Sequence, residues 1–110
     1  MSNWNWIGAS IEGEFIKDGR TVGLHIQRGG TTSALHFSSI EDRLEARTNQ
    51  IAEELASLDE WRSGLSGRAA DSAGNIDYYR SQTKRLVFER QEIDRLRQEV
   101  RSCVPEETAA

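Results

Sequence analysis

The 110 residues include only a single cysteine and a single proline. A lone Cys103 cannot close an internal disulfide, so the fold has to be held by its core. The N-terminal MSNWNWIG carries no basic stretch and no long apolar stretch, which argues against an export signal. Together these absences predict a reducing, cytoplasmic setting. Long apolar runs are missing too, and none approaches the roughly 20 residues that a membrane-spanning helix needs, so no membrane partner is expected. The net charge of −4 argues against attraction of the whole surface to nucleic acid or anionic lipid, while leaving room for a local basic patch.

Motifs that carry chemistry are also lacking. Gly29-Gly30 and the Gly64-to-Gly67 stretch are too short to cradle a phosphate, and neither precedes a lysine–threonine pair. No serine sits in a nucleophile elbow. Cys103 has no neighbouring histidine and falls in the last turn of a helix, where the dipole disfavours a thiolate. No cofactor or metal is therefore expected, and the chain is not expected to be an enzyme. Glu12, His25 and His36 share one face of a sheet, but ligands spread over a flat sheet do not converge as zinc requires. A solvated polar face accounts for them.

What is present is an architecture. Asp18-Gly19 between two alternating apolar runs is a strong hairpin signal, and Gly29-Gly30 marks a second tight turn. Counting outward from a two-residue turn at Asp18-Gly19 sets Phe15 opposite Val22, Gly13 opposite Leu24 and Ile11 opposite Ile26. The second turn sets Leu24 opposite Leu35 and Val22 opposite Phe37. Both turns agree on one core face of Ile11, Phe15, Val22, Leu24, Ile26, Leu35 and Phe37. A three-stranded antiparallel β-meander over residues 9–37 results, with Glu12 facing His25 and His36 facing Gly23 on its outer side.

Two helices come after the meander. Ser38 or Ser39 can open the first as a capping box with Glu41 or Asp42, and Ile40, Leu44, Ile51, Leu55 and Leu58 draw one apolar stripe along residues 39–62. Residues 63–75 are small and glycine-rich. They read as a loop or as a weak helical turn at residues 68–71, with Asn75 as a cap for the second helix. Over residues 76–104 a second seam runs through Ile76, Tyr79, Thr83, Leu86, Arg90, Ile93, Arg97 and Val100, and Pro105 ends it. Residues 105–110 read as a frayed tail. The first helix holds seven acids against three arginines, a net of −4. The second holds seven bases against five acids, a net of +2. Opposite charge and a short linker predict an antiparallel hairpin, coiled-coil-like in its seam. The fold class expected is α+β, in a single domain spanning residues 1–110.

A 29-residue helix is about 43 Å long, whereas seven-residue strands span about 23 Å. The overhang, with a second partial stripe, predicts a homodimer with Val87, Ile93, Leu96, Val100 and Cys103 at its interface. Trp4 and Trp6 either fold over the sheet edge or a helix, or stand out as anchors for a partner, or stack on bases. With Trp61, Tyr78, Arg85, Arg90 and Arg97 they form the expected partner-binding set, since tryptophan, tyrosine and arginine dominate binding hot spots.

In size and charge the chain resembles the small acidic α+β proteins that phages and mobile elements encode to bind and block a host enzyme or defence complex. The resemblance implies a non-enzymatic inhibitor or adaptor that occupies the surface of a protein partner, which can be a multi-subunit complex. The alternative is a dimeric nucleic-acid-binding protein that uses the arginines of the C-terminal helix to track phosphates. Glu89, Glu92, Asp94 and Glu99 interrupt that basic series.

Overall fold

The Asp18 and Gly19 backbones both lie at positive φ, 54° and 77°, and so do Gly29 and Gly30, at 59° and 83°. Those values make two tight turns of the type that matches strand twist. They join β1 (Ser10–Lys17), β2 (Arg20–Arg28) and β3 (Thr31–His36) into an antiparallel sheet of order β1-β2-β3. The computed structural model describes residues 5–105. Three helices succeed the sheet: α1 (Phe37–Ser63), α2 (Arg68–Asp71) and α3 (Ala73–Cys103). The chain is an α+β fold, a β-meander followed by a long antiparallel helical hairpin.

Register departs from the simple count between the two ends of the β1–β2 ladder. Lys17 pairs with Arg20 and Ile11 with Ile26, but Phe15 pairs with Gly23, Glu14 with Leu24 and Gly13 with His25. Two bulges cause this and cancel one another: Val22 is the extra residue on β2 and Glu12 the extra residue on β1. Between them the cross-strand partners of β1 are offset by one residue. Phe15 therefore leaves the expected core face and joins the outer one, where its ring meets His36 at 5.2 Å and His25 at 6.0 Å. Gly23, paired with both Phe15 and His36, lies where these rings cross. Val22 is likewise absent from the core, and Glu12 accepts a hydrogen bond from Ser10 Oγ instead of facing His25. The β2–β3 ladder is regular, with Leu24 opposite Leu35 and His36 opposite Gly23.

The helices begin earlier than the serine caps suggest. His36 occupies the N-cap of α1 with no side-chain cap bond, so neither Ser38 nor Ser39 caps that helix. Phe37 opens α1 and does not continue β3. Ser72 caps α3, its Oγ accepting from the Asn75 N–H, while the Asn75 amide donates to the Ala69 carbonyl. The weak helical turn at residues 68–71 is formed as α2.

Along α3 the buried line runs Leu86, Glu89, Ile93, Leu96, Val100. It shares Leu86, Ile93 and Val100 with the expected seam but replaces Arg90 and Arg97 by Glu89 and Leu96. Both lines alternate steps of three and four, and sequence spacing alone does not choose between them. The core joins these residues to Ile40, Leu44 and Ile51 of α1, Leu24 and Ile26 of β2, and Trp6 and Ala9. Ile93, Leu96 and Val100, expected at a dimer interface, are thus sealed within one chain. Cys103 packs partly buried against the same core, and Val87 is half-buried.

The sheet covers only one end of the hairpin. No residue from Ala52 to Arg85 is fully buried. The radius of gyration is 18.1 Å, against about 13 Å for a compact chain of this length. The extents of 64 × 29 × 20 Å describe a rod with a platform at one end.

Candidate binding groove

Two ion pairs and one hydrogen bond, in opposed order along the helices, fix how α1 and α3 lie together. Glu41 meets Arg97 at 3.5 Å, Arg47 meets Glu89 at 2.7 Å, and Asp59 accepts from the Tyr79 hydroxyl at 2.5 Å. Residues rising along α1 meet residues descending along α3. The middle pair is the buried one. Glu89 is 0% exposed and takes two hydrogen bonds from Arg47, Nε to Oε2 at 2.8 Å and Nη2 to Oε1 at 2.7 Å. This fork-to-fork geometry is the strongest form of the arginine–carboxylate bond. Nη1 of Arg47 turns outward to Gln50 at 2.9 Å and to Glu54 at 3.0 Å. The Glu89 bond, ahead of the cost of burial, raises the Arg47 pKa above its already high ordinary value.

The same carboxylate captures the N-terminal segment. Glu89 Oε2 also accepts the Trp6 backbone N–H at 3.1 Å. One turn on, Glu92 accepts the Gly8 N–H at 3.3 Å, and one turn further Arg95 donates to the Ala9 carbonyl at 3.2 Å. Gly8, at φ 78°, allows the turn that the Ala9 N–H closes on the Trp6 carbonyl at 3.2 Å. These spacings of three put Glu89, Glu92 and Arg95 on one stripe of α3, which straps residues 5–9 along the helix.

Trp6 is consequently 2% exposed. The Arg28 guanidinium lies over its ring, 4.1 Å from the centroid, a cation–π contact. Trp6 therefore cannot act as an exposed anchor, and Trp4 lies outside the described residues. Burial first, and the like charge of Arg43 second, push Arg28 below its ordinary pKa, against the pull of Glu89.

Beside this buried post opens a cleft of about 810 Å³. Arg28, Arg43, Arg47 and Arg85 line it, with Glu54 the one carboxylate among the lining residues. Glu54 and Glu89 neutralise Arg47. Arg43 and Arg85 have no carboxylate partner among the described residues, and Arg85 donates only to Gln82, at 2.8 Å. A second groove of about 710 Å³ continues from it between α1 and α3 and shares Gln50, Glu54, Gln82 and Arg85 with the first. Its floor is Leu58 and Leu86, and its far wall is Trp61 and Tyr78. Those two rings meet edge to face at 5.3 Å and are 37% and 51% exposed.

Of the residues expected to bind a partner, the fold thus brings Trp61, Tyr78 and Arg85 to one groove. Arg97 is half-buried and held by Glu41, so it is not available as a free contact. Arg90 is exposed on α3 but does not line either cleft. Arg43 and the Arg47–Glu89 pair escape a reading by charge clusters, because each is one arginine or one acid on a mixed helix. The one available signal was the three-residue recurrence of Glu89, Glu92 and Arg95. His25, His36 and Glu12 do not converge, and no group of three metal-ligating side chains occurs among the described residues. No helix among them is long and apolar enough to cross a membrane.

Searched against family models, curated proteins and solved structures, the chain matches none of them.

Proposed function

We propose that the protein is a non-enzymatic interaction module, an inhibitor or adaptor that acts by occupying a partner protein's surface in the cytoplasm. The observation that carries this reading is the unfinished distal hairpin. Leu55, Leu58, Ile76 and Tyr79 are only half-buried there, and Trp61 and Tyr78 stand exposed beside a groove that opens from the helix pair. A hairpin meant only to cap its own sheet has no use for these extra turns. An exposed aromatic pair rimmed by polar residues is the usual form of a binding hot spot.

The test is parallel affinity capture with the full chain and with a Trp61→Ala/Tyr78→Ala variant, followed by mass spectrometry. The reading expects a defined protein, or set of subunits, retained by the wild-type chain and lost by the variant. Identical recoveries from both chains count against the groove as the docking face.

A further inference from the structure

The groove is polarised along its length. Its end nearest the sheet is cationic, through Arg43 and Arg85, and its far end is apolar and aromatic, through Leu58, Trp61 and Tyr78. We propose, building on the interaction reading above, that this groove receives a peptide segment of the partner that carries an acidic cluster at one end and a large apolar side chain at the other.

Three features select that occupant. First, Arg43 and Arg85 present guanidiniums without carboxylate partners among the described residues, next to a third arginine stacked on Trp6. Guanidinium forks suit carboxylates, which can accept two parallel bonds. Second, the positive charge is confined to one end. Glu53 and Glu54 line the second groove, and Asp59 and Glu60 come next on α1. A nucleic-acid strand, charged at every step, would meet these acids after leaving the arginines, whereas a peptide can place acids at one end only. Third, the spacing is short. Tyr78 and Arg85 are seven residues apart on α3, about 10 Å along the axis. An extended peptide of about three residues, or two turns of helix, bridges that gap.

The test selects peptides of about 16 random residues, displayed on phage, against the immobilised full chain. Enriched peptides are then synthesised and titrated against wild type, Arg43→Glu/Arg85→Glu and Trp61→Ala/Tyr78→Ala. A single-stranded oligothymidylate is titrated in parallel. All four substituted side chains are exposed, and circular dichroism checks that the variants fold. A further arm needs no variant: each peptide is remade with its acids changed to amides.

The proposal expects enriched sequences to combine acids with a large apolar residue. It expects amide replacement and the Arg43→Glu/Arg85→Glu pair each to weaken binding at least about tenfold, with oligothymidylate the weaker ligand. Peptides that keep their affinity as amides, yet lose it on the Trp61→Ala/Tyr78→Ala chain, overturn the acidic occupant and leave the interaction reading standing. Peptides indifferent to both variants, or no enrichment at all, overturn both. Tighter binding of oligothymidylate than of any peptide replaces the peptide with a nucleic acid.

Discussion

Arg47 and Glu89, 42 residues apart in the chain, are joined by two hydrogen bonds of 2.8 and 2.7 Å, and the carboxylate they share also holds the Trp6 backbone. One buried acid thus ties α1, α3 and the N-terminal segment together. Removing one partner of such a pair costs more than the pair is worth, because the other charge is left stranded. Glu89→Ala should therefore destabilise the chain by about 3–5 kcal/mol. The paired change Arg47→Met/Glu89→Leu should cost less than either single change. It strands no charge, and its remaining cost is the Trp6 N–H left without an acceptor, about 1–3 kcal/mol. Urea unfolding of Glu89→Ala, of Arg47→Met and Glu89→Leu singly, and of the double variant measures both numbers. Simple additivity of the single changes would show that the residues do not act as a unit.

Trp6 and Trp61 separate structure from recognition. Trp6 is enclosed by the core and capped by Arg28, so Trp6→Ala should cost about 3–5 kcal/mol. Trp61 is exposed at the tip, and Trp61→Ala should change stability by about 1 kcal/mol or less, near the edge-to-face contribution of its one ring partner. Thermal melts of the two variants read the contrast directly.

Gly23 tests the paired bulges. A Cβ built there falls on the Leu35 carbonyl, a backbone group that cannot rotate away, whereas a Cβ on Gly13 meets nothing within 4 Å. Gly23→Ala should lose about 2 kcal/mol or more, and Gly13→Ala should stay within about 0.5 kcal/mol. Equal melting temperatures for the two variants would mean that β3 does not press on β2 at this point.

Turn chemistry made the meander legible: Asp18-Gly19 and Gly29-Gly30 each adopt the backbone that their residue types favour, and Leu24 faces Leu35 as counted. The bulges at Glu12 and Val22 were not legible, because the two cancel, leave the register at both ends of the ladder intact and announce themselves only through packing. The same limit applies to α3. Leu86, Ile93 and Val100 belong to two interleaved three-four patterns, and whether Arg90 or Glu89 turns inward depends on Arg47, which sits on another helix. Trp61, Tyr78 and Arg85 could be named from residue type, but the cleft they share with Arg43 exists only once the helices are antiparallel. The overhang was readable from helix length alone. The self-association inferred from it used a stripe that the sheet and α1 bury in one chain.

The strap gives the chain a response to acid. Hydrogen bonds from Arg95 first, and from the Gly8 N–H second, hold Glu92 below its ordinary value of 4.5. A carboxyl group with a depressed folded-state pKa contributes stability that is complete above its unfolded value and is lost as pH falls through the folded one. The stability gap between wild type and Glu92→Gln should therefore be widest near neutral pH and close below about 4.5. Urea midpoints measured across that range check it, and a gap that stays constant into acid would assign the effect to shape and not to charge.

At the opposite end the sign reverses. The Tyr79 hydroxyl donates to Asp59 at 2.5 Å, and this bond, ahead of desolvation, raises the phenol above its ordinary value of 10.0. Protonated Tyr79 is the form that bonds, so its contribution is complete below pH 10 and is lost as pH rises through the raised value. Ionisation would set phenolate against carboxylate at hydrogen-bond distance, in a region with no fully buried side chain to resist separation. Arg62, 4.9 Å over the Tyr79 ring, attracts the phenolate but offsets only part of the repulsion from Asp59. The tip should therefore open before the rest of the molecule. In hydrogen exchange above pH 10, amides on either side of Leu58 and Tyr79 should lose protection while those around Arg47 and Glu89 keep it. Tyr79→Phe should show the tip's lower protection already at neutral pH and no further loss on the alkaline side. If the whole hairpin loses protection together in the wild-type chain, the two ends form one cooperative unit, and the distal groove is as firmly held as the core.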